Sequence, residues 1–241
     1  MLRRTAAVCV RVAASSIGAC RSREDALPAR VGQVEQPVIK PAAATPRIVV
    51  LGDSLTAGLG LPADEAYPSL LQQRLDANGF HYDVVNAGVS GDTSAGGLSG
   101  LEWTLDGDVR VLIVALGGND GLRGLPVDEL TENLSRIIER ARARHITVVL
   151  AGMEAPPNFG RDYIVKFHQV YPSLARRYHV AFVPFLLENV AGHDDLNQRD
   201  GIHPTAQGAR IVADNVWTAL KPIVEKDAHR RTTRKGGPTG S

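Results

Sequence analysis

The chain has 241 residues, 44% of them hydrophobic and 22% charged, and a formal net charge of +1. This length and composition are typical of one globular domain with a substantial core. A nearly neutral chain with 5% aromatic residues lacks the basic face or stacking platforms of nucleic-acid-binding proteins, so we expect no nucleic-acid partner.

The first 46 residues differ in character from the rest. Residues 1–20 contain early arginines and an Ala/Val-rich stretch that ends in Ile17-Gly18-Ala19-Cys20, which resembles the lipobox of a bacterial lipoprotein signal peptide. We expect export to the periplasm or a lipid anchor at Cys20; cleavage by an ordinary signal peptidase and a cytoplasmic location are the alternatives. No later run is long enough for a membrane helix, so any membrane attachment would depend on that lipid. Residues 21–46, rich in Pro and Ala, predict a flexible linker.

Residues 47–222 form the predicted domain, in which strand and helix patterns alternate. The predicted strands are Ile48–Leu51, Tyr82–Ala87, Val109–Leu116, Ile146–Ala151 and Val180–Phe185. The main predicted helices are Asp64–Asn78, Val127–Ala143, Tyr163–Tyr178 and Thr205–Leu220. Since parallel strands need crossover connections, this order predicts a mostly parallel sheet with helices on both faces, a three-layer doubly wound α/β fold. Residues 223–241 are predicted to be a disordered basic tail.

A serine directly follows the first predicted strand. The apolar run Ile48–Leu51 is typical of a strand buried on both faces, and Gly52 permits a tight exit from it. In open α/β sheets the carboxyl ends of the strands are where ligands bind. Ser54 is therefore a candidate nucleophile, although an Asp53-Ser54 pair that only caps the next helix is the alternative.

An acid and a histidine lie close together before the last predicted helix. A serine hydroxyl is a weak nucleophile unless an imidazole takes its proton, and a carboxylate improves that imidazole by orienting its other nitrogen. Asp200 and His203 are three residues apart across a glycine-containing turn, and Pro204 is expected to start the helix and anchor the histidine. An ordinary loop histidine is the alternative. We expect no metal site, because no third ligand and no cysteine cluster accompany the pair.

Two further segments offer hydrogen-bond donors at the same edge of the sheet. Ester hydrolysis passes through a tetrahedral oxyanion, which needs such donors. Gly91 offers a backbone N–H after the second strand, and Asn119 offers a side-chain amide after the third. For the Gly-Gly-Asn-Asp segment alone, a turn and helix cap is the alternative. Four such segments in one order make coincidence a poor explanation.

This combination closely resembles the SGNH, or GDSL, hydrolase family, whose four sequence blocks carry Ser, Gly, Asn and His. Here these residues are Ser54, Gly91, Asn119 and His203. The segments Val-Ser-Gly-Asp-Thr and Gly-Gly-Asn-Asp-Gly-Leu-Arg-Gly are similar to those of the bacterial periplasmic esterases with thioesterase, arylesterase and lysophospholipase activities. The resemblance extends from Arg47 to about Leu220.

The resemblance implies a flavodoxin-like fold with a five-stranded parallel sheet in the order 2-1-3-4-5. It implies that Ser54 is the nucleophile, His203 the base and then the acid, and Asp200 the orienting carboxylate. It also implies an oxyanion hole formed by the N–H groups of Ser54 and Gly91 and by Asn119.

The loop after strand four is similar to a segment that lines the acyl pocket in the thioesterase subgroup. Phe159 stands here in place of a tyrosine and Glu154 adds an acid, so the acyl-chain preference is left open. We also expect Asp53 and Asp120 to brace the site through hydrogen bonds. The residues assigned to substrate binding are Asp53, Leu55, Asp120, Pro157, Asn158, Phe159 and Ile202.

The sequence therefore predicts a serine esterase that hydrolyses esters and thioesters of short to medium acyl chains, without metal or cofactor and as a monomer. A carbohydrate acetylesterase with the same mechanism is one alternative. A non-catalytic flavodoxin-like binding module is the other, although no phosphate-binding glycine motif follows the first strand.

Overall fold

The computed structural model describes residues 45–235, and the side chains of residues 45–231. The predicted signal segment, nearly all of the linker and residues 236–241 lie outside the described residues. Within residues 45–235, no helix is long and apolar enough to span a bilayer.

In the part of the chain that the structure describes, five strands form a single sheet. They are β1 (Arg47–Gly52), β2 (Asp83–Gly88), β3 (Val109–Ala115), β4 (Thr147–Ala151) and β5 (Ala181–Val183). All neighbours pair in parallel, and the order is β2-β1-β3-β4-β5. The predicted α/β fold is confirmed, including the strand order that the family resemblance implied.

Eight α-helices within residues 45–235 pack around the sheet. They are α1 (Ser54–Ala57), α2 (Tyr67–Ala77), α3 (Ser94–Ser99), α4 (Leu101–Thr104), α5 (Gly118–Leu122), α6 (Val127–Ala143), α7 (Arg161–Tyr178) and α8 (Ala206–Lys235). Helix α2 packs with α8, whereas α6 packs with α3 and α7, and both groups contact the sheet. The short helices α1, α3, α4 and α5 were not predicted, because four to six residues are too few to show a helical period.

The core lies on both faces of the two central strands. Residues 48–51 of β1 and 111–115 of β3 are at most 3% exposed. Their continuous apolar runs are typical of strands covered by helices on each side. The central strands therefore form a rigid base for the loops at their carboxyl ends.

The last helix is longer than the sequence predicted. Residues 223–235 are helical, so their assignment to a disordered tail is wrong. Val224 is fully buried, and Asp227 accepts hydrogen bonds from Tyr82 Oη and, at 2.6 Å, from Arg231 Nη2. These contacts join the added turns to the segment before β2, a long-range effect that local sequence composition does not reveal.

Candidate active site

Three candidate residues follow the carboxyl ends of β2, β1 and β3, which are neighbours in the sheet. Ser54 directly follows β1, Gly91 lies in the loop after β2, and Asn119 lies in α5 directly after β3. Since β2 and β3 flank β1 in the sheet, their loops lie on either side of the serine. The sheet order thus brings together segments that are far apart in the sequence.

A sharp turn presents Ser54 at the end of β1. A Cβ added at Gly52 would lie 2.0 Å from Thr56 Oγ1 and 2.9 Å from the Ala115 carbonyl oxygen, so only glycine fits this close approach. Asp53 Oδ1 accepts a hydrogen bond from the Leu55 N–H at 3.0 Å and caps α1. The helix-capping alternative is therefore correct for Asp53, while Ser54 projects from the first turn toward other polar groups.

The loop that carries Asp200 and His203 is closed by a short antiparallel bridge between Asn197 and Pro204. Gln198 N–H donates to the His203 carbonyl at 2.7 Å, and Gln198 Nε2 donates to the Leu59 carbonyl, also at 2.7 Å. The bridge fixes the two ends of the loop, and the Gln198 side chain ties it to the chain that follows α1. Pro204 belongs to this bridge. Helix α8 begins at Ala206, two residues after Pro204, which was expected to start it.

A chain of hydrogen bonds connects the serine, the histidine and the aspartate. Ser54 Oγ lies 2.8 Å from His203 Nε2, and His203 Nδ1 lies 2.7 Å from Asp200 Oδ2. An ionised carboxylate only accepts, so Nδ1 carries the proton and Nε2 presents a lone pair to the serine hydroxyl. In this tautomer His203 can take the proton of Ser54.

Asp200 is held in its ionised form. Its Oδ1 accepts from the backbone N–H groups of His203 at 3.0 Å and Ile202 at 2.9 Å. These two backbone bonds, followed by the His203 side chain, lower the pKa of Asp200 to about 2. The carboxylate is thus charged at neutral pH, as the orienter of an imidazole must be.

Asp53 is the second acid near the serine. Unlike Asp200, it is buried, and its pKa is raised instead of lowered. It is 2% exposed, and burial raises the pKa of its carboxyl group to about 6, against the smaller lowering by the Leu55 N–H. Its Oδ2 lies 3.4 Å from Asn119 Nδ2. The two carboxylate oxygens of Asp53 thus contact the first turn of α1 and the Asn119 amide.

The Asn119 amide holds one strong and one weak hydrogen bond. Nδ2 donates to the Asp92 carbonyl at 2.9 Å, and its contact with Asp53 Oδ2 is long at 3.4 Å. The first bond fixes the amide against the loop that contains Gly91. The second proton is weakly held, so an oxyanion arriving beside Ser54 can compete for it.

A cavity of about 350 Å³ opens beside Ser54 and His203. This volume lies at the lower end of the range for small-molecule sites. Predicted site residues that line it are Asp53, Ser54, Leu55, Asn119, Pro157, Ile202 and His203. Apolar residues complete most of the wall. Met153, Ala155 and Pro156 belong to the loop after β4 that the family resemblance had indicated, and the others are Leu122, Phe185, Leu187 and Ala191. No sequence signal marked Phe185, Leu187 and Ala191 beyond their position after β5.

Three predicted substrate-binding residues lie outside this cavity. Both carboxylate oxygens of Asp120 accept hydrogen bonds from Ser94, at 2.5 and 2.8 Å, and Asp120 is 3% exposed. Asn158 is exposed in a short 3₁₀ turn. The Phe159 ring packs on Tyr163, with 5.4 Å between centroids. Asp120 thus joins α5 to the first residue of α3, while the cavity does not extend to Asn158 or Phe159.

Glu154 does line the cavity wall, and its Oε1 lies 2.6 Å from His168 Nδ1. The sequence had identified this acid but gave no sign of its partner, which lies on α7. Within residues 45–235, no three His, Cys, Asp or Glu side chains are grouped as metal ligands.

The chain matches the model of the GDSL-like Lipase/Acylhydrolase family over residues 50–211. It is 45% identical over 183 residues to Esterase TesA of Pseudomonas aeruginosa, an alignment that covers 76% of this chain and 91% of the relative. It is 37% identical over 188 residues to Thioesterase 1/protease 1/lysophospholipase L1 of Escherichia coli strain K12, covering 78% and 89% of the two chains.

Solved structures show the same likeness. The crystal structure of TesA superposes with a TM-score of 0.71 at 44% sequence identity, covering 73% of this chain and 98% of the other. The parts of the chain that carry the sheet and the candidate site are therefore the parts that the relatives share.

Proposed function

This chain belongs to the GDSL-like lipase/acylhydrolase family and is a carboxylic ester hydrolase, and from that premise we propose that it cleaves esters and thioesters of short to medium acyl chains through a Ser54-His203-Asp200 triad. The observation that carries the proposal is the hydrogen-bond chain from Ser54 Oγ through His203 to Asp200 at an apolar cavity.

Acylation begins at the serine. Ser54 Oγ attacks the acyl carbonyl carbon while its proton moves to His203 Nε2, and Asp200 stabilises the imidazolium that forms. The carbonyl oxygen becomes an oxyanion and accepts hydrogen bonds from the Gly91 N–H and the Asn119 amide, together with the Ser54 N–H. The bond to the leaving group then breaks, and His203 returns the proton to the departing alcohol or thiol.

Deacylation repeats these steps with water in place of the alcohol. His203 takes a proton from water as the water oxygen attacks the Ser54 ester, and the same donors hold the second oxyanion. Collapse of this intermediate releases the carboxylic acid and returns the proton to Ser54 Oγ. No metal or redox cofactor takes part in either half.

The cavity supports the proposed acyl specificity. Its wall is mostly apolar, with Leu122, Met153, Phe185 and Leu187 among the lining residues, and burial of an acyl chain against such a wall is favourable. The name of the Escherichia coli relative includes thioesterase and lysophospholipase, which supports thioesters as substrates here. Nothing in the cavity specifically favours the acetylated-carbohydrate alternative.

The test is hydrolysis of p-nitrophenyl esters from acetate to palmitate, with EDTA present. We expect activity on the shorter esters that Ser54→Ala abolishes and that Ser99→Ala, a change of an exposed serine in α3, leaves intact. Full activity in Ser54→Ala would refute the mechanism. The acyl length at which kcat/KM declines measures the usable length of the cavity.

Phe159, which stands where the thioesterase subgroup has a tyrosine, provides a second check. Because Phe159 packs on Tyr163 and does not line the cavity, Phe159→Tyr should leave the chain-length profile unchanged. A shifted optimum would place this side chain in contact with the substrate.

We also propose that the enzyme is exported, on the pattern of residues 1–20, with Cys20 as the residue for a lipid anchor. Expression of the full chain in a bacterial host with labelled palmitate tests this. Label lost in Cys20→Ser supports lipidation. An unlabelled periplasmic protein indicates cleavage by an ordinary signal peptidase, and retention in the cytoplasm contradicts export.

A further inference from the structure

The turn that carries Gly91 is held by a contact that the mechanism above does not use. Arg123 Nη2 donates to the Gly91 carbonyl oxygen at 2.8 Å. Arg123 directly follows α5, the helix of Asn119, and its backbone N–H donates to the Asn119 carbonyl at 3.1 Å. Two side chains one helical turn apart therefore both reach the loop after β2.

That loop contains a tight turn with Gly91 at its third position. The Asp92 N–H donates to the Val89 carbonyl at 3.0 Å, and Gly91 has a φ of +87° while Ser90 is not among the residues with positive φ. These features define a type II turn, whose third position favours glycine. The Gly91 N–H belongs to the central peptide of the turn, so its direction depends on how the turn is held.

Asn119 in α5 and Arg123 directly after it hold this turn at two consecutive carbonyl groups. Arg123 binds the carbonyl of Gly91, and Asn119 Nδ2 binds the carbonyl of Asp92 at 2.9 Å. At the other end of the turn, the Val89 N–H donates to the Gly52 carbonyl at 3.0 Å. The Arg123 bond adds a second side-chain contact beside the Asn119 bond at this end of the turn, so the turn is less free to reorient.

We propose that Arg123 is a positioning residue for the oxyanion hole: it fixes the Gly91 turn against α5 so that the Gly91 N–H and the Asn119 amide point at the same oxygen. The inference rests on the proposed function, in which those two groups hold the oxyanion. Preorganised donors stabilise the transition state more than donors that must reorient during the reaction. Arg123 is exposed, so it serves local geometry more than global stability.

The chain offers a matched control for this contact. Arg47 Nη1 donates to the Asp106 carbonyl at 3.3 Å, beside Gly107 with a φ of +84°. Like Arg123, Arg47 is exposed and binds a backbone carbonyl at a left-handed glycine, in this case the carbonyl of the residue before it. Arg47 begins β1, at the end of the strand opposite Ser54.

The experiment compares Arg123→Ala, Arg123→Lys and Arg47→Ala by kcat and KM on p-nitrophenyl butyrate. Loss of a whole oxyanion donor costs about 100- to 1000-fold in kcat, and misplacing one should cost less. We expect Arg123→Ala to lower kcat about tenfold, with KM within about twofold of wild type. Arg123→Lys should fall in between, and Arg47→Ala should match wild type, with melting temperatures unchanged throughout.

Inhibition by phenylboronic acid distinguishes a positioning role of Arg123 from a purely structural one, because a purely structural role would leave the inhibition constant unchanged. This acid adds reversibly to the serine oxygen as a tetrahedral anion, one oxygen of which takes the place of the oxyanion. Its inhibition constant should rise in Arg123→Ala by the same factor as kcat/KM falls, because both report transition-state stabilisation.

An unchanged kcat in Arg123→Ala would overturn the inference. A rise in the KM of Arg123→Ala with no change in kcat would also overturn it. If that rise in KM occurred only with acyl-CoA substrates, Arg123 would be assigned to binding the substrate's phosphates instead. If the wild type hydrolyses esters and Arg123→Ala does so at the same rate, only this inference is refuted. A wild type that hydrolyses no ester refutes the proposed function as well.

Discussion

Replacing Asp200 by asparagine tests how the His203 ring is oriented. The change keeps the size and shape of the side chain, and one amide oxygen can still accept from the backbone N–H groups of Ile202 and His203. The second oxygen becomes an NH₂ group that faces His203 Nδ1. Because NH₂ only donates, Nδ1 must then present its lone pair and the ring proton must move to Nε2.

In that tautomer, Nε2 can no longer accept the Ser54 proton. In serine hydrolases the equivalent change lowers kcat about 10⁴-fold, which corresponds to about 5.5 kcal/mol of transition-state stabilisation. We expect a similar loss in Asp200→Asn. Stability should change little, since the Asp200 side chain is 46% exposed.

The assay is kcat on p-nitrophenyl butyrate between pH 5 and 9, with thermal melting as a check of folding. Asp194→Asn serves as the control, because Asp194 is an exposed acid in the same connection between β5 and α8. Since the pKa of Asp200 is about 2, its own titration should leave no acid limb in this range. More than a tenth of wild-type turnover in Asp200→Asn would refute the reasoning.

Three further predictions follow from the contacts around the serine. Asn119→Ala should lower kcat by about 100- to 1000-fold with KM nearly constant; a loss below about tenfold would exclude the amide from the oxyanion hole. Burial raises the pKa of Asp53 to about 6, so the folded state loses stability as pH rises from about 4 to about 6, by up to ~3 kcal/mol. Asp53→Asn should remove this dependence in urea titrations at pH 4 and 7, and parallel curves for the two proteins would contradict it. Gly52→Ala should destabilise by about 1–3 kcal/mol, because the added Cβ meets backbone and side-chain atoms, whereas Gly100→Ala, with 3.9 Å to the nearest atom, should be neutral.

The fold was predictable because its signals are local. The apolar run Ile48–Leu51 and the amphipathic pattern of α6 each identify an element without knowledge of its neighbours. The parallel arrangement follows from their alternation, whereas the strand order came from the family resemblance. The added turns of α8 were not predictable, since the Tyr82–Asp227 contact that holds them joins residues 145 positions apart.

The site was predictable where chemistry dictates residue type. A serine after a buried strand and an Asp-x-x-His loop carry their function in their identity, and the structure places them within hydrogen-bond distance. Asn158 and Phe159 were placed by resemblance alone, and the direction of a loop depends on packing that the resemblance does not specify. Arg123 lies within the Gly-Gly-Asn-Asp-Gly-Leu-Arg-Gly segment that carries the resemblance, but its role was not predictable, because its side chain binds a carbonyl group in a different loop.

The most direct test of the account uses a phosphonate ester with a p-nitrophenol leaving group. Ser54 Oγ should displace p-nitrophenolate from phosphorus, releasing about one equivalent per chain and leaving a phosphonyl group that peptide mass spectrometry locates on Ser54. We expect no adduct in Ser54→Ala and much slower reaction in His203→Ala. An adduct on another residue, or unmodified Ser54 in protein that still hydrolyses esters, would contradict the assignment of Ser54 as the nucleophile.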